Sequence, residues 1–325
     1  MTRGEIRFDH FMGMALHNPE RGYYARRIGG IGRRGDFTTA PMLSGCLARA
    51  VAAWAAGALR ETGCRDLIEI GPGDGTLAEC VWQMLPWSLR WRTRLHLVET
   101  SAPLRELQQQ RLGRRARWHA EPREALDACG GKAVVFSNEL VDAFPVRRFQ
   151  FTGDGWRELA LAFDPPAPPS EVLLDPGPLP PSSVFSRDYQ AGQWVEVHDS
   201  YREWLTGWLP LWRAGRMLTI DYGGTVETLY QRRPRGTLRG YLLQQRVEGA
   251  DCYLNAGRQD LTADVNFTDL AEWSEPWAET RALTGLGGFL APHADPRSET
   301  DRALVAEDGA GGAFRVLEQE CGVAR

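Results

Sequence analysis

Hydrophobic and polar positions alternate with a period that changes along the chain. Phe8, Phe11, Met12, Ala15 and Leu16 recur three and four apart, which places them on one face of an amphipathic helix. The helix must stop near Asn18-Pro19, because proline cannot continue it. This predicts a lid or packing helix. Residues 21–41 are rich in Gly and Arg and read as an ordered loop, followed by a small-residue helix from about Met42 to Glu61. Asp66 to Ile70 then forms a short apolar strand that runs into Gly-Pro-Gly-Asp-Gly and a helix from about Thr76 to Leu85. A second strand, Arg94 to Val98, ends at Glu99 and leads to a helix from about Ala102 to Leu112. A further strand, Ala133 to Phe136, ends at Ser137-Asn138-Glu139. Strand and helix alternating at this spacing predict an α/β fold, a parallel sheet covered on both faces.

The alternation breaks after Pro145. Val146 to Thr152 and Trp156 to Phe163 read as strands of a hairpin, and Pro165 to Pro181 as an extended loop, since so many prolines exclude helix and central strand alike. It resumes with a helix from about Ser200 to Trp212 and a strand, Met217 to Ile220, that ends at Asp221-Tyr222-Gly223. Leu229 to Phe267 is Gly-rich and irregular, and the tail holds strands at Thr280 to Leu283 and Ala313 to Glu318. The expected organisation is an N-terminal helical cap and loop over residues 1–62, then an α/β domain over 63–325 with insertions at about 150–195 and 224–267.

The 325 residues can bury a full core, and their net charge of −4 gives no global attraction to nucleic acid or an anionic membrane, which leaves only a local basic patch open. Lys132 is the single lysine, so almost all positive charge is arginine. The six cysteines are dispersed without a C-x-x-C pair or histidines at ligand spacing, so reduced thiols and no structural metal are expected. The longest apolar run, Ala50 to Leu59, is half a membrane span, and Glu5 and Asp9 argue against a leader. These features point to a cytoplasmic protein with neither membrane nor nucleic acid as partner.

Candidate chemistry lies at the strand ends, where parallel sheets bind ligands. Gly71, Gly73 and Gly75, with Pro72 between them, let the backbone turn tightly and approach a ligand, and Glu99 ends the next strand in position to accept from two ribose hydroxyls. Dinucleotide sites use G-x-G-x-x-G; here the spacing is G-x-G-x-G, with Thr76 where the third glycine would stand. Glu69 and Asp74 add negative charge, which suits a cationic ligand without phosphate such as S-adenosylmethionine (SAM) better than NAD or ATP. E-I-G-P-G-D-G-T-L looks like the first motif of the class I methyltransferases.

More of the chain carries a likeness. G-R-R-G-D-F-T-T-A-P (Gly32 to Pro41), H-L-V-E-T-S (His96 to Ser101), S-N-E-L-V-D-A-F-P-V (Ser137 to Val146), I-D-Y-G (Ile220 to Gly223) and D-L-T-A-D-V-N-F (Asp260 to Phe267) occur in this order. From about Phe8 to Phe267 the chain resembles the MidA family of SAM-dependent methyltransferases, whose mitochondrial members serve complex I assembly by methylating an arginine of a core subunit. The resemblance implies a seven-stranded, mostly parallel class I sheet with helices on both faces, SAM over Gly71–Gly75, Glu99 on the ribose, and Asp36 and Thr38 near the cofactor. Asn138 joins this cofactor set. Met42, Gln244 and Asn266 depart from the family, which carries glutamate, histidine and aspartate there; these departures bear on the acceptor.

Glu139 and Asp142, three apart on an expected helical turn, can face one way. A guanidinium has a pKa above about 12, so its methylation needs groups that hold the cation, orient one nitrogen and take a proton. Paired carboxylates can do so, or Glu139 caps the strand end or binds cofactor while Asp142 caps a helix. Asp221, Tyr222 and Arg239 are weaker substrate candidates. The expected function is methyl transfer from SAM to a protein arginine. The alternatives are a SAM-binding assembly factor without turnover and a methyltransferase for a small-molecule acceptor; an NAD oxidoreductase is disfavoured by Thr76. Oligomeric state is left open.

Overall fold

The computed structural model describes residues 4–26, 45–243 and 245–322. They gather into two compact units, each discontinuous in the chain: one of residues 4–26, 141–204 and 223–270, the other of residues 45–140, 205–222 and 271–322.

The second unit is built on a largely parallel sheet. Its strands lie in the spatial order Ala116–His119, Arg94–Val98, Asp66–Ile70, Val134–Asn138, Arg216–Gly224, Phe314–Cys321, Ala278–Gly285. The first five are mutually parallel; Phe314–Cys321 runs antiparallel between its two neighbours. In chain order these seven read third, second, first, fourth, fifth, seventh, sixth, the α/β class expected; an eighth, two-residue strand, Val265–Asn266, pairs parallel with Gly223 and Gly224, so the count exceeds the seven expected. All five residues of Asp66–Ile70 are buried, as a strand covered on both faces requires.

The helix Gly45–Thr62, grouped above with the N-terminal segment, belongs to this unit. Its alanines let it approach the sheet closely, so Ala50, Val51 and Ala55 share one core with Leu67, Val134, Phe136 and Leu218. Helices Thr76–Met84 and Ala102–Leu112 follow the first and second strands as their periodicity indicates. The strand Ala116–His119 and the helix Pro122–Ala128 were not anticipated. An edge strand needs only one buried apolar position, here Ala116, and so leaves little pattern.

The first unit is antiparallel. Gly4–Arg7, Trp156–Phe163, Arg147–Phe151 and Trp194–Val197 form its main sheet, and Ser170–Leu174 pairs with Trp156–Phe163. Thus the proline-rich segment, read as extended loop, contains an edge strand, with its prolines outside the paired residues. Helix Phe8–His17 buries the five residues of its expected apolar face, with Phe11 against Phe163 and Phe8 against Tyr253. Within the stretch read as irregular, Arg239–Leu242 pairs with Gln245–Val247 and Asp260–Thr262. Among the described residues no helix is long and apolar enough to cross a membrane.

Candidate active site

In the parallel-sheet unit the strand order reverses between Asp66–Ile70 and Val134–Asn138, so the loops at their carboxyl ends diverge and leave a crevice. Gly71, Gly73 and Gly75 all adopt positive φ (67°, 56° and 81°), a region that costs a side-chain-bearing residue about 1–2 kcal/mol. At Gly71 space is also short: a Cβ would lie 2.8 Å from Leu140 Cδ1. The Gly71 N–H donates to the Val98 carbonyl (3.0 Å) and the Gly75 N–H to the Pro72 carbonyl (2.9 Å), which fixes the turn. Asp74 accepts from the Thr76 N–H at the helix start (2.9 Å) and from Arg111 Nη2 (3.0 Å), so its charge is already engaged.

Glu69 differs from Asp74. It is 2% exposed, and its Oε2 has no hydrogen-bond partner among the described residues. Burial, with Asp74 adding repulsion, pushes its carboxyl up to about 8. A buried acid left with an unmet acceptor beside a glycine turn matches a ligand that brings a cation.

Glu99 is buried at the next strand end, and burial raises its carboxyl above the usual range against the hydrogen bonds that pull it down. Its Oε1 accepts from the Ser101 N–H (2.8 Å) and its Oε2 from Gln108 Nε2 (3.2 Å). Gln108 Nε2 also donates to the Gly73 carbonyl (2.6 Å), and Trp118 Nε1 holds the Gln108 Oε1 (3.0 Å). One glutamine thus ties the glycine turn to the acidic strand end. Sequence reasoning missed Gln108, Arg111 and Trp118. A signal existed, since Leu104, Gln108 and Leu112 are the buried stripe of their helix, and a glutamine on an apolar stripe implies a polar partner.

At the end of the fourth strand, Asn138 Nδ2 donates to Glu139 Oε1 (3.1 Å), while the buried Asn138 Oδ1 is unpartnered among the described residues. Glu139 has φ 52°, the left-handed region, and its N–H donates to the Ile220 carbonyl (2.9 Å). The helical turn expected to carry both Glu139 and Asp142 covers only Val141–Ala143, so the helical spacing argument does not apply. Asp221, fully buried, accepts from the Leu140 N–H (3.1 Å) and the Tyr222 N–H (2.8 Å); it holds the turn after Glu139. Tyr222 stacks on Phe314 at 3.9 Å between ring centroids, a packing contact.

Asp142 lies in the antiparallel unit. Its Oδ2 accepts from Thr262 Oγ1 (2.8 Å), and burial raises its carboxyl. Nearby Asp260, which accepts from the Tyr24 hydroxyl (3.1 Å), is pushed up to about 8 by burial and by Asp142. Arg239 pairs with Asp264 and donates to Tyr241 Oη and the Thr237 carbonyl. Asn266 donates to Ser183 Oγ (2.9 Å) and accepts from the Thr268 N–H (3.1 Å), serving the start of helix Phe267–Ser274. Asp36, Thr38, Met42 and Gln244 lie outside the described residues.

Asp66, His96 and Cys129 bring three ligand-type atoms within 4.8 Å of one another, a grouping that sequence spacing did not indicate. Both Asp66 oxygens already accept from Arg94 (2.7 and 2.6 Å), and Oδ1 also meets His96 Nε2 (2.9 Å), which makes the trio a hydrogen-bonded network.

Residues 50–283 match the sequence model of the family described as "Putative S-adenosyl-L-methionine-dependent methyltransferase". The chain belongs to this methyltransferase family. Its relatives include the Xenopus tropicalis protein named "Protein arginine methyltransferase NDUFAF7, mitochondrial", 28% identical over 300 residues, covering 82% of this chain and 66% of that one. The Homo sapiens protein of the same name is 28% identical over 321 residues, covering 84% and 66%. The chain thus spans just under two thirds of the length of these relatives. A crystal structure of a Burkholderia thailandensis protein bound to S-adenosyl-homocysteine superposes with a TM-score of 0.86 at 26% identity, covering 98% of this chain and 88% of that one. A second structure from the same organism gives 0.81 at 26% identity, covering 98% and 87%.

The residues present fit the SAM that this family uses. Gly71–Gly75 offers a turn without side chains, Glu99 retains acceptor capacity at the adjoining strand end, and Glu69 has an unmet acceptor for a cation. No helix-borne phosphate cradle is needed, and the acidity of the loop would oppose one.

Proposed function

We propose that the methyl acceptor of this enzyme is a protein arginine, with Glu139 as the carboxylate that takes the proton. The observation that carries the reading is the conformation of Glu139. A non-glycine residue held at φ 52° immediately after the strand that borders the crevice stores strain of about 1–3 kcal/mol, and such strain concentrates where a side chain must be aimed. The Ile220 carbonyl and Asp221 fix the backbone on either side, and Asn138 steadies the carboxylate. Bound SAM supplies an electrophilic methyl on a sulfonium. Glu69 and Glu99 would hold the cofactor, Asn138 would offer it a free oxygen, and Glu139 would bind the guanidinium and accept its proton. The names of the curated relatives support the choice of arginine.

Asp142 is tested separately as a carboxylate for the acceptor, since Thr262 already donates to it. Asp142→Asn with Glu139→Gln decides between the roles. Incubation with methyl-labelled SAM and native extract, followed by mass mapping, identifies acceptor and atom. Glu139→Gln is expected to slow turnover at least about a hundredfold while SAM affinity holds. Parallel loss of SAM affinity would move Glu139 to the cofactor site and favour a less basic, small-molecule acceptor. Label in no product, with SAM still bound, would favour an assembly factor without turnover. If Asp142→Asn keeps near-wild-type turnover, Asp142 is structural.

A further inference from the structure

The amino ends of the parallel strands, opposite the glycine turn, carry the two most exposed large apolar side chains among the described residues. Trp87 is 78% and Trp91 89% exposed, and Met84 beside them is 44% exposed. Trp87 opens the short helix Trp87–Arg90, and Trp91 continues its right-handed conformation, so the two indoles, four apart, project from one side. They line a groove of about 530 Å³ together with Arg114 and Arg117, which precede and join the edge strand Ala116–His119. Five arginines line it, and Arg92 adjoins Trp91 in the chain. Arg94 is chelated by Asp66, Arg90 donates to the Gln83 carbonyl, and Arg115 lies 3.9 Å from Glu79. Arg92, Arg114 and Arg117 are exposed and make no ion pair or side-chain hydrogen bond among the described residues.

We infer that this end of the sheet docks on an anionic lipid bilayer, with the Trp87 and Trp91 rings at headgroup level and Arg92, Arg114 and Arg117 on lipid phosphates. Indoles favour the membrane–water interface, and each uncompensated arginine adds attraction to an anionic leaflet. Both rings stand mostly in solvent, the disposition of an interfacial anchor, and this favours a bilayer over a single-stranded nucleic acid, which would share the basic groove but needs base-stacking platforms. Met84 adds insertable apolar surface with no role in stacking. The expectation of no membrane partner rested on the lack of a membrane-length apolar run and on the net charge of −4, which left a local basic patch open. The cofactor turn is at the opposite, carboxyl end of the same strands, away from the proposed docking face.

Flotation of the full chain with phosphatidylcholine vesicles, alone or with about one third phosphatidylglycerol, tests this. Binding is expected only to the anionic vesicles, and it should fall steeply as salt rises towards about 0.5 M. A Trp87→Ala and Trp91→Ala double variant should lose at least about tenfold in partitioning. Arg114→Gln and Arg117→Gln should each lose about fivefold. SAM affinity and melting temperature should hold in all three variants, which shows that the fold is intact. The inference is overturned if the chain does not float with anionic vesicles at low salt, or if all three variants float as the parent does. Binding of oligouridylate through the same residues, without flotation, would assign the face to nucleic acid instead.

Discussion

Glu69 shows how one buried group couples the cofactor to pH. Its carboxyl ordinarily titrates near 4.5 and is pushed up to about 8 in the folded chain by burial, with Asp74 contributing. Between those values the native state keeps a proton that the unfolded chain releases, so this group's contribution to stability falls as pH rises from about 4.5 to 8 and then levels. A bound cation favours the ionised form, so SAM binding should release that proton. We therefore expect SAM affinity to rise from about pH 6 to 8, by up to about tenfold per unit, and to flatten in Glu69→Gln. Calorimetry across that range checks it; a slope that persists in the variant would assign the linkage to another group. At Glu99 the hydrogen bonds to Ser101 and Gln108 leave lone pairs for a ribose. Glu99→Ala should weaken SAM binding by about 1–3 kcal/mol, measured by the same titration. Glu69 was legible from its place beside the glycine run, and Glu99 from its place at the end of the next strand. Gln108 was not, because the evidence for it is a partner 35 residues away at Gly73.

At the scale of the element, the strand, turn and helix around Gly71 combine two separate constraints that a matched pair of substitutions can resolve. Gly71 and Gly63 have nearly the same φ, 67° and 69°, but a Cβ at Gly63 would meet nothing within 4 Å, whereas one at Gly71 would press on Leu140. Gly63→Ala should therefore cost about 1–2 kcal/mol, the backbone strain alone. Gly71→Ala should cost more, and should also weaken SAM binding, because the displaced Leu140 follows the Glu139 turn. Denaturant midpoints and SAM titration separate the two effects, and equal stability losses would mean that Leu140 moves freely. Elements of this kind were read well from sequence: Asp66–Ile70, Arg94–Val98, Ala102–Leu112 and Trp156–Phe163 occur at the boundaries anticipated. Asp66–Ile70, Ala102–Leu112 and Trp156–Phe163 are bounded by glycine, proline or a cap such as Ser101, which accepts from the Leu104 N–H, and Arg94–Val98 by its polar neighbours Thr93 and Glu99. Elements without a full apolar stripe escaped, among them Ala116–His119 and Arg239–Leu242.

Across the whole molecule, a ligand that binds only the folded chain must raise its melting temperature. SAM at about 100 times its Kd adds about 2.7 kcal/mol, enough for a shift of several degrees, whereas NAD should give none, since the turn lacks the third glycine that packs beside a pyrophosphate. A shift with NAD and none with SAM would contradict the family's cofactor in this chain. What the sequence by itself determined was local. The period of the apolar positions set the strands and helices, and the spacing of Gly71, Gly73 and Gly75 selected a ligand type, because both depend on backbone conformation within a few residues. Tertiary structure alone decided which distant segments meet. It places Asp221 under the turn after Glu139, engages Asp142 with Thr262, and completes the sheet begun at Asp66 with strands beyond residue 277. It also gathers Arg114 and Arg117 beside Trp87 and Trp91 into a cationic face that the net charge conceals. Such pairings arise from the order in which strands assemble, and local periodicity carries no record of strand order.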